Sequence, residues 1–353
     1  ENIIEPLSVP FNGIFHCNTE DVFDSFESYA KWYLKDEKAD DYKWIGILIH
    51  RSNWINGNTQ VEKELIKCFE TLGLKVIPVF AYSTTESNDT VKNFDSLVKD
   101  YFSMDEKIMI DGLVHLMMLQ PVDNNRYSNV FEQAVDRFKD INIPIFKPLI
   151  SYILDKDKWE KNKEGLSMQM SSAFTNPEMA GMIEPIILGC RDKSGQTEPI
   201  KDRIHKFTRR VNKWIDLRNT SNKDKKIAII IHNAPCSGVE ATIGMGAGLE
   251  VFESVVDILR DLKNQGYKID EIPENGEKLH KLIMDKKAYS DFRWTSVEDI
   301  IESGGCIYQM SLDGEKGYLE FYNKLEKSVH EEMEGTWGTP PGEGMVYDNK
   351  LII

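Results

Sequence analysis

Trp44–His50 reads WIGILIH, and the residues after it decide the fold: a polar turn, RSNWINGN, then Thr59–Leu72, Gly73, and a second apolar run, Lys75–Phe80 (KVIPVF). Between the two runs, Val61, Leu65, Ile66, Phe69 and Leu72 recur at helical spacing. Gly73 stands where a helix C-cap is expected, because glycine takes the left-handed conformation without a Cβ penalty. Short, wholly apolar runs flanking an amphipathic helix predict a β-α-β unit. Strands that are apolar on both faces belong to a parallel sheet covered by helices on both sides.

A second segment has the same grammar. Lys226–His232 (KIAIIIH) reads as a strand and NAPCSGVEATIGMGAG as a glycine-containing loop. Leu249–Asn264 reads as a helix with Leu249, Phe252, Val255, Val256, Leu259 and Leu262 on one face. Gly266 caps it, and Tyr267–Ile272 begins another strand. Further strands of the first sheet are predicted at Gly112–Gln120 and Ile143–Ile150, with a helix over Phe131–Phe138 between them. Helices are also predicted over Trp159–Ala173 and Tyr318–Glu334. The right-handed crossover rule turns these units into two doubly wound, Rossmann- or flavodoxin-like parallel-sheet domains. Residues 1–173 form the first α/β domain in this reading and 226–353 the second. A connecting segment, 174–225, carries a PE-x-x-G motif and a basic helix.

Composition narrows the function. A net charge of −15 argues against a surface that tracks phosphates. The basic run Lys201–Lys226 carries Ile204, Phe207, Val211, Trp214 and Ile215 at helical spacing, and reads as a helix with a solvated face. No apolar run is long enough for a membrane span, and ENIIEPLSVP has no secretory leader. The five scattered cysteines form neither a zinc motif nor a disulfide framework and fit a reducing cytoplasm. No P-loop, H-E-x-x-H or G-x-S-x-G motif occurs.

Open parallel sheets bind ligands beyond the carboxyl ends of their strands. Both leading strands end in histidine followed by polar residues, His50-Arg51-Ser52-Asn53 and His232-Asn233. Imidazole, guanidinium and amide groups there bind carboxylates or move protons, or each histidine simply caps its strand. The glycines of IGMGAGLE (Gly244, Gly246, Gly248) are spaced G-x-G-x-G and lie well beyond the strand, which is not the dinucleotide fingerprint. Backbone at Gly246 can still approach a flat ligand closely. In Phe174–Asp192, FTNPEMAGMIEPIILGCRD, Glu178 and Glu184 stand among methionines and prolines. A carboxylate in an apolar wall has a raised pKa, which suits a proton acceptor, and is a hard oxygen ligand for a divalent metal. On composition alone, a solvent-exposed loop acid is the favoured reading.

These motifs in their order are similar to one family. PEMAGMIEPIILGCRDKSGQTEPI, a basic helix, KIAIIIHN, IGMGAGLE, GYKIDEIPENGEKL and WGTPPGEGMVYD resemble the large subunit of cobaltochelatase and its relative, the H subunit of magnesium chelatase. KWIGILIHRSNWINGN and LGLKVIPVFAY extend the resemblance to nearly the whole chain. Members of that family are much longer and carry a downstream G-T-H-G-x-L-E-type motif, so the chain reads as a central fragment or a truncated homologue, with the second domain cut short and the piece inactive alone.

The resemblance implies a ligase that forms nitrogen–metal bonds by inserting a metal into a tetrapyrrole. Co2+ or Mg2+ and the ring enter as substrates, no cofactor is bound tightly in this chain, and ATP is used by AAA+ partner subunits. Cobalt insertion into a corrin-type ring, in cobalamin biosynthesis, is the branch suggested by IIHN, GLE and GEGMVYD; magnesium insertion into protoporphyrin and a non-catalytic tetrapyrrole-binding module are the alternatives. The family's P-E-L-D-G motif falls on Pro177, Glu178, Met179, Ala180 and Gly181, with Met and Ala replacing Leu and Asp. Glu178 is then the catalytic residue and a transient metal ligand, and His50, Arg51, Ser52, Arg191, His232, Asn233 and Gly246 are expected to bind the ring.

Overall fold

Strand β2 (Trp44–His50) is the centre of the first sheet. It pairs in parallel with β3 (Lys75–Ala81) on one side and β6 (Gly112–His115) on the other. In parallel beyond β6 lies β7 (Ile145–Phe146), and β1 (Asn12–Ile14) adds an antiparallel edge to β3, giving the order β1-β3-β2-β6-β7. The computed structural model describes residues 9–85, 88, 90–117, 130–163, 171–232, 243–244, 246, 248–286, 296–314, 316–341 and 346–352. The chain divides into two units, Glu1–Asn219 and Thr220–Ile353.

Alternation along β2 explains why its sequence is apolar throughout. Trp44 and Leu48 enter a core shared with α1 (Phe26–Leu34), α4 (Phe94–Tyr101) and α5 (Val130–Ile141). Ile45, Ile47 and Ile49 enter the opposite core, shared with α3 (Gln60–Thr71) and α8 (Lys201–Asn219). Successive side chains point to opposite faces of a sheet, so a strand covered on both faces has no polar position to spare. A short hairpin, β4 (Ser103–Met104) with β5 (Lys107–Ile108), follows α4. Gly73 adopts φ +83° immediately after α3, as a glycine C-cap requires.

Residues 143–150 form two strands, because the run breaks at Lys147-Pro148 into β7 and β8 (Leu149–Ser151). β8 pairs in parallel with β9 (Ile187–Arg191), whose other edge takes β10 (Thr197–Pro199) in a hairpin. A parallel bridge, Phe146 to Ile183, carries the strand direction from β7 into this group. The segment 174–219 is therefore part of the first unit and not a connector. α8 buries Ile204, Phe207, Val211 and Ile215 on the sheet beside α3. Arg210 grips Glu184 through two 2.7 Å bonds, and the Trp214 indole donates to the same carboxylate at 3.0 Å. Glu184 stands at φ +60° and its side chain is only 8% exposed, so it is structural. The helix predicted over Trp159–Ala173 is represented among the described residues by α6 (Lys156–Lys161) and a π-turn, Ser171–Thr175, that leads into α7 (Asn176–Met179).

In the second unit, helices Val251–Asn264 and Gly276–Asp285 pack around Val255, Val256 and Leu279. Its sheet is antiparallel, in the order Gln309–Ser311, Lys350–Ile352, Val346–Tyr347. The segment read as one helix from Tyr318 is two, Tyr318–Asn323 and Lys327–Trp337. The α/β class with a parallel sheet holds, but the second parallel sheet does not form among the described residues. Neither Lys226–His232 nor Tyr267–Ile272 enters a ladder there. An apolar run becomes a buried strand only where neighbours satisfy its backbone N–H and C=O groups. Without such neighbours Ile230 is 93% exposed.

Leu48→Ala, at the centre of β2, is expected to lower unfolding free energy by about 2–5 kcal/mol in denaturant titration, the cost of an unfilled cavity in a buried strand.

Candidate functional site

Parallel strands reverse their winding between β2 and β6, since the chain moves from β2 to β3 and then to the far side of β2. The carboxyl edge at such a switch point is where the fold opens a crevice. Four strand ends supply polar groups along that edge: His50 to Asn53 after β2, His115 at the end of β6, Lys147 after β7 and Tyr152 after β8.

His50 caps α2 (Arg51–Ile55), its Nδ1 accepting from the Ser52 N–H at 3.2 Å and lying 2.7 Å from Ser52 Oγ. Burial lowers its pKa, so the ring is neutral at physiological pH. The guanidinium of Arg51 turns away to the chain's start. It donates to the carbonyls of Pro10 and Val9 at 2.7 and 2.9 Å, and lies over the Phe11 ring. Arg51 therefore fastens residues 9–11, and Ser52 is an exposed part of the cap.

The group with the strongest chemistry on this edge is one that its place in the sequence conceals. Glu62, in the first turn of α3, is fully buried, and its pKa is raised by burial to about 7. Asn53 lies near enough to oppose the shift, yet neither carboxylate oxygen has a hydrogen-bond partner among the described residues. Half-buried Asn53 donates to the Tyr152 hydroxyl at 3.3 Å, and the Tyr152 phenol feels the Glu62 charge. The turn that places Glu62 is pinned by Asn58, whose Oδ1 accepts from Thr197 N and Thr197 Oγ1 at 2.8 Å. Val61 leans on Gly189, where a Cβ would come within 2.6 Å of the valine. Periodicity hid Glu62: it follows Val61 inside an amphipathic helix and reads as its polar face. The strands β9 and β10, distant in sequence, pack against the start of α3 and cover it.

On the neighbouring strands Lys147 and His115 are also buried. The ammonium of Lys147 donates to the carbonyls of His115 and Met117, and burial lowers its pKa to about 8. Burial, with the Lys147 charge added, lowers His115 to about 3, which keeps the imidazole neutral. One sheet edge thus holds a carboxyl poised near neutrality, a cation held by carbonyls, and two neutral imidazoles.

The remaining expected site residues do not join this edge group. Glu178 is exposed on α7. The chain from there leads into Ile183, which runs parallel to β7, so Glu178 stands at the amino edge, opposite His50. Ala180 and Gly181 there line a cavity of about 350 Å3 with Asn142, Pro144 and Arg218. Arg191 is exposed and folds over the turn at Gly195. His232 and Gly246 belong to the second unit, where both are exposed, and the His232 carbonyl accepts from Gly244 N at 3.0 Å. Asn233 lies outside the described residues.

The family model described as CobN/Magnesium Chelatase matches residues 1–353. The chain belongs to that family. An uncharacterized protein of Methanocaldococcus jannaschii is 36% identical over 98% of this chain and 28% of its own length. The magnesium-chelatase H subunit of Chlorobaculum parvum is 26% identical over 96% of this chain and 25% of its own. Among solved structures, the catalytic subunit of cobaltochelatase from Mycobacterium tuberculosis superposes with a TM-score of 0.67 at 20% identity, over 99% of this chain and 26% of that one. That likeness shows the shared fold. The chain spans about a quarter of the length of the relatives it matches.

Glu62 makes stability depend on pH in a defined sense. Its folded pKa of about 7 lies above the ordinary 4.5, so between those values the folded state holds a proton that the unfolded state has lost. This contribution is full below about pH 4.5 and falls as pH rises to about 7, by roughly 3 kcal/mol. His115 acts oppositely between about pH 3 and 6.5, because there the unfolded state binds the extra proton. Subtracting the wild-type curve from that of Glu62→Gln isolates the carboxyl. The variant's advantage in urea titrations is expected to grow from pH 4.5 to 7.

Proposed function

We propose that this chain is part of the tetrapyrrole- and metal-handling large subunit of an ATP-dependent chelatase that inserts Co2+ into a corrin-type ring in cobalamin biosynthesis. The observation that carries the reading is the buried Glu62 carboxyl, poised near neutral pH beside the switch point of a parallel sheet. Metal insertion requires two ring N–H protons to leave and a hydrated divalent ion to shed water. A carboxyl with a pKa near the working pH accepts a proton and releases it again within one cycle. Tyr152 and Asn53, half-buried beside it, connect it to the crevice. Neutral His50 offers the ring's peripheral groups a donor, or the incoming metal a lone pair. Arg191, His232, Asn233 and Gly246 contact the ring's periphery in this reading, and Arg51 serves it indirectly by holding residues 9–11. ATP is hydrolysed by AAA+ partner subunits, and no cofactor is held by this chain.

Cobalt is preferred on the IIHN, GLE and GEGMVYD motifs, while the family also includes magnesium-chelatase relatives. A second reading leaves the proton transfer on Glu178. Its match to the family's P-E-x-x-G motif favours this, and its exposure on α7 leaves it free to face a ring held by other parts of the full-length subunit.

Both readings meet one experiment. In the full-length subunit with its ATPase partners, metal insertion is followed by the ring's absorbance, with Co2+ and Mg2+ in parallel. Glu62→Gln is expected to lower kcat by about 10²–10⁴, the usual worth of a positioned acid–base group. Unchanged turnover, together with loss in Glu178→Gln, transfers the role to Glu178. Turnover with Mg2+ alone overturns the choice of cobalt.

A further inference from the structure

Glu64 and Cys68 lie one helical turn apart on α3, at i and i+4, so their side chains share a face. His205, on α8, comes up against that face. Oxygen, sulfur and nitrogen of the three groups all lie within 4.8 Å of one another, and His205 Nε2 is 3.9 Å from Glu64 Oε1. Ligands around a tetrahedral zinc-like ion, at metal distances of about 2.0–2.3 Å, stand roughly 3.3–3.8 Å apart. Small rotations about the side-chain bonds of Glu64 and His205 close the difference. The helix backbones already stand at the required separation, since α3 and α8 pack side by side on one face of the sheet.

We propose that Glu64, Cys68 and His205 form a binding site for a borderline-soft divalent transition metal such as Zn2+ or Co2+, separate from the sheet-edge site.

The donor set selects the class of ion. A thiolate beside an imidazole and one carboxylate suits zinc-like ions and not Mg2+, which demands oxygen ligands and keeps its waters. Burial is graded across the site. Cys68 is buried, the Glu64 side chain is 17% exposed and that of His205 is 59% exposed. A metal held there has protein on one side and solvent on the other, so a water completes its coordination. Burial and the Glu64 charge raise the Cys68 pKa while Lys67 lowers it, and a bound cation adds to the Lys67 effect. Once bound, the ion bridges α3 to α8 and ties the two helices that cover one face of β2. The site uses none of the edge residues, so it stands whether or not Glu62 transfers protons.

Co2+ alone is the probe, because thiolate ligation gives it a charge-transfer absorption that oxygen and nitrogen ligands do not. Titrating the whole chain with Co2+ under reducing conditions is expected to produce that band saturably, with tetrahedral d–d bands beside it. Excess Mg2+ leaves the band in place and Zn2+ abolishes it. Cys68→Ser is expected to remove the band and His205→Ala to weaken binding at least about tenfold. Cys17→Ser, at an exposed cysteine outside the cluster, leaves it unchanged. His205 is exposed enough for its variant to fold, so the test does not hang on Cys68→Ser staying native. A folded chain without the band, or a band that survives both Cys68→Ser and His205→Ala, overturns the proposal.

Discussion

Burial of β2 on both faces is the constraint on which the rest of the first unit depends. Seven residues without one charged side chain must be covered above and below, and parallel neighbours must satisfy their backbone. That requirement places α1, α4 and α5 on one face and α3 with α8 on the other. It also places the carboxyl ends of β2, β3, β6 and β7 along one edge, because parallel strands all finish on the same side.

The chemistry of that edge is a consequence of its dryness. Glu62, His115 and Lys147 are ordinary ionisable groups whose behaviour is set by desolvation, the largest cause of the shift in each. Each is pushed toward its neutral form. Glu184 shows the opposite outcome for the same residue type. Arg210 and Trp214 bind its charged form and hold its pKa below the ordinary carboxylate range. Two glutamates on one unit thus take opposite roles, one available to carry a proton and one locked in an ion pair.

The first β-α-β unit was legible because its two periodicities, wholly apolar strands and a helix with one apolar stripe, have little else to become. The placement of His50 at the carboxyl edge was legible for the same reason, since it ends the first apolar strand. Glu62 was not, since a polar residue in the first turn of an amphipathic helix looks solvated until another part of the sheet covers it. Glu178 stood out in the sequence for its apolar neighbours, yet Met179 beside it is exposed and α7 turns both outward. KIAIIIH had the composition of a buried strand and none of its neighbours.

By itself the sequence determined the first β-α-β unit, the glycine stop after α3, the α/β class with a parallel sheet and the family resemblance, because these depend on local composition and spacing. Tertiary structure decided that 174–219 completes the first unit, that Arg51 is a fastener, that Glu62 loses its water, and that Glu64, Cys68 and His205 meet. Each of these depends on contacts between residues distant in the chain. Desolvation and ligand geometry are properties of such contacts and of no single segment.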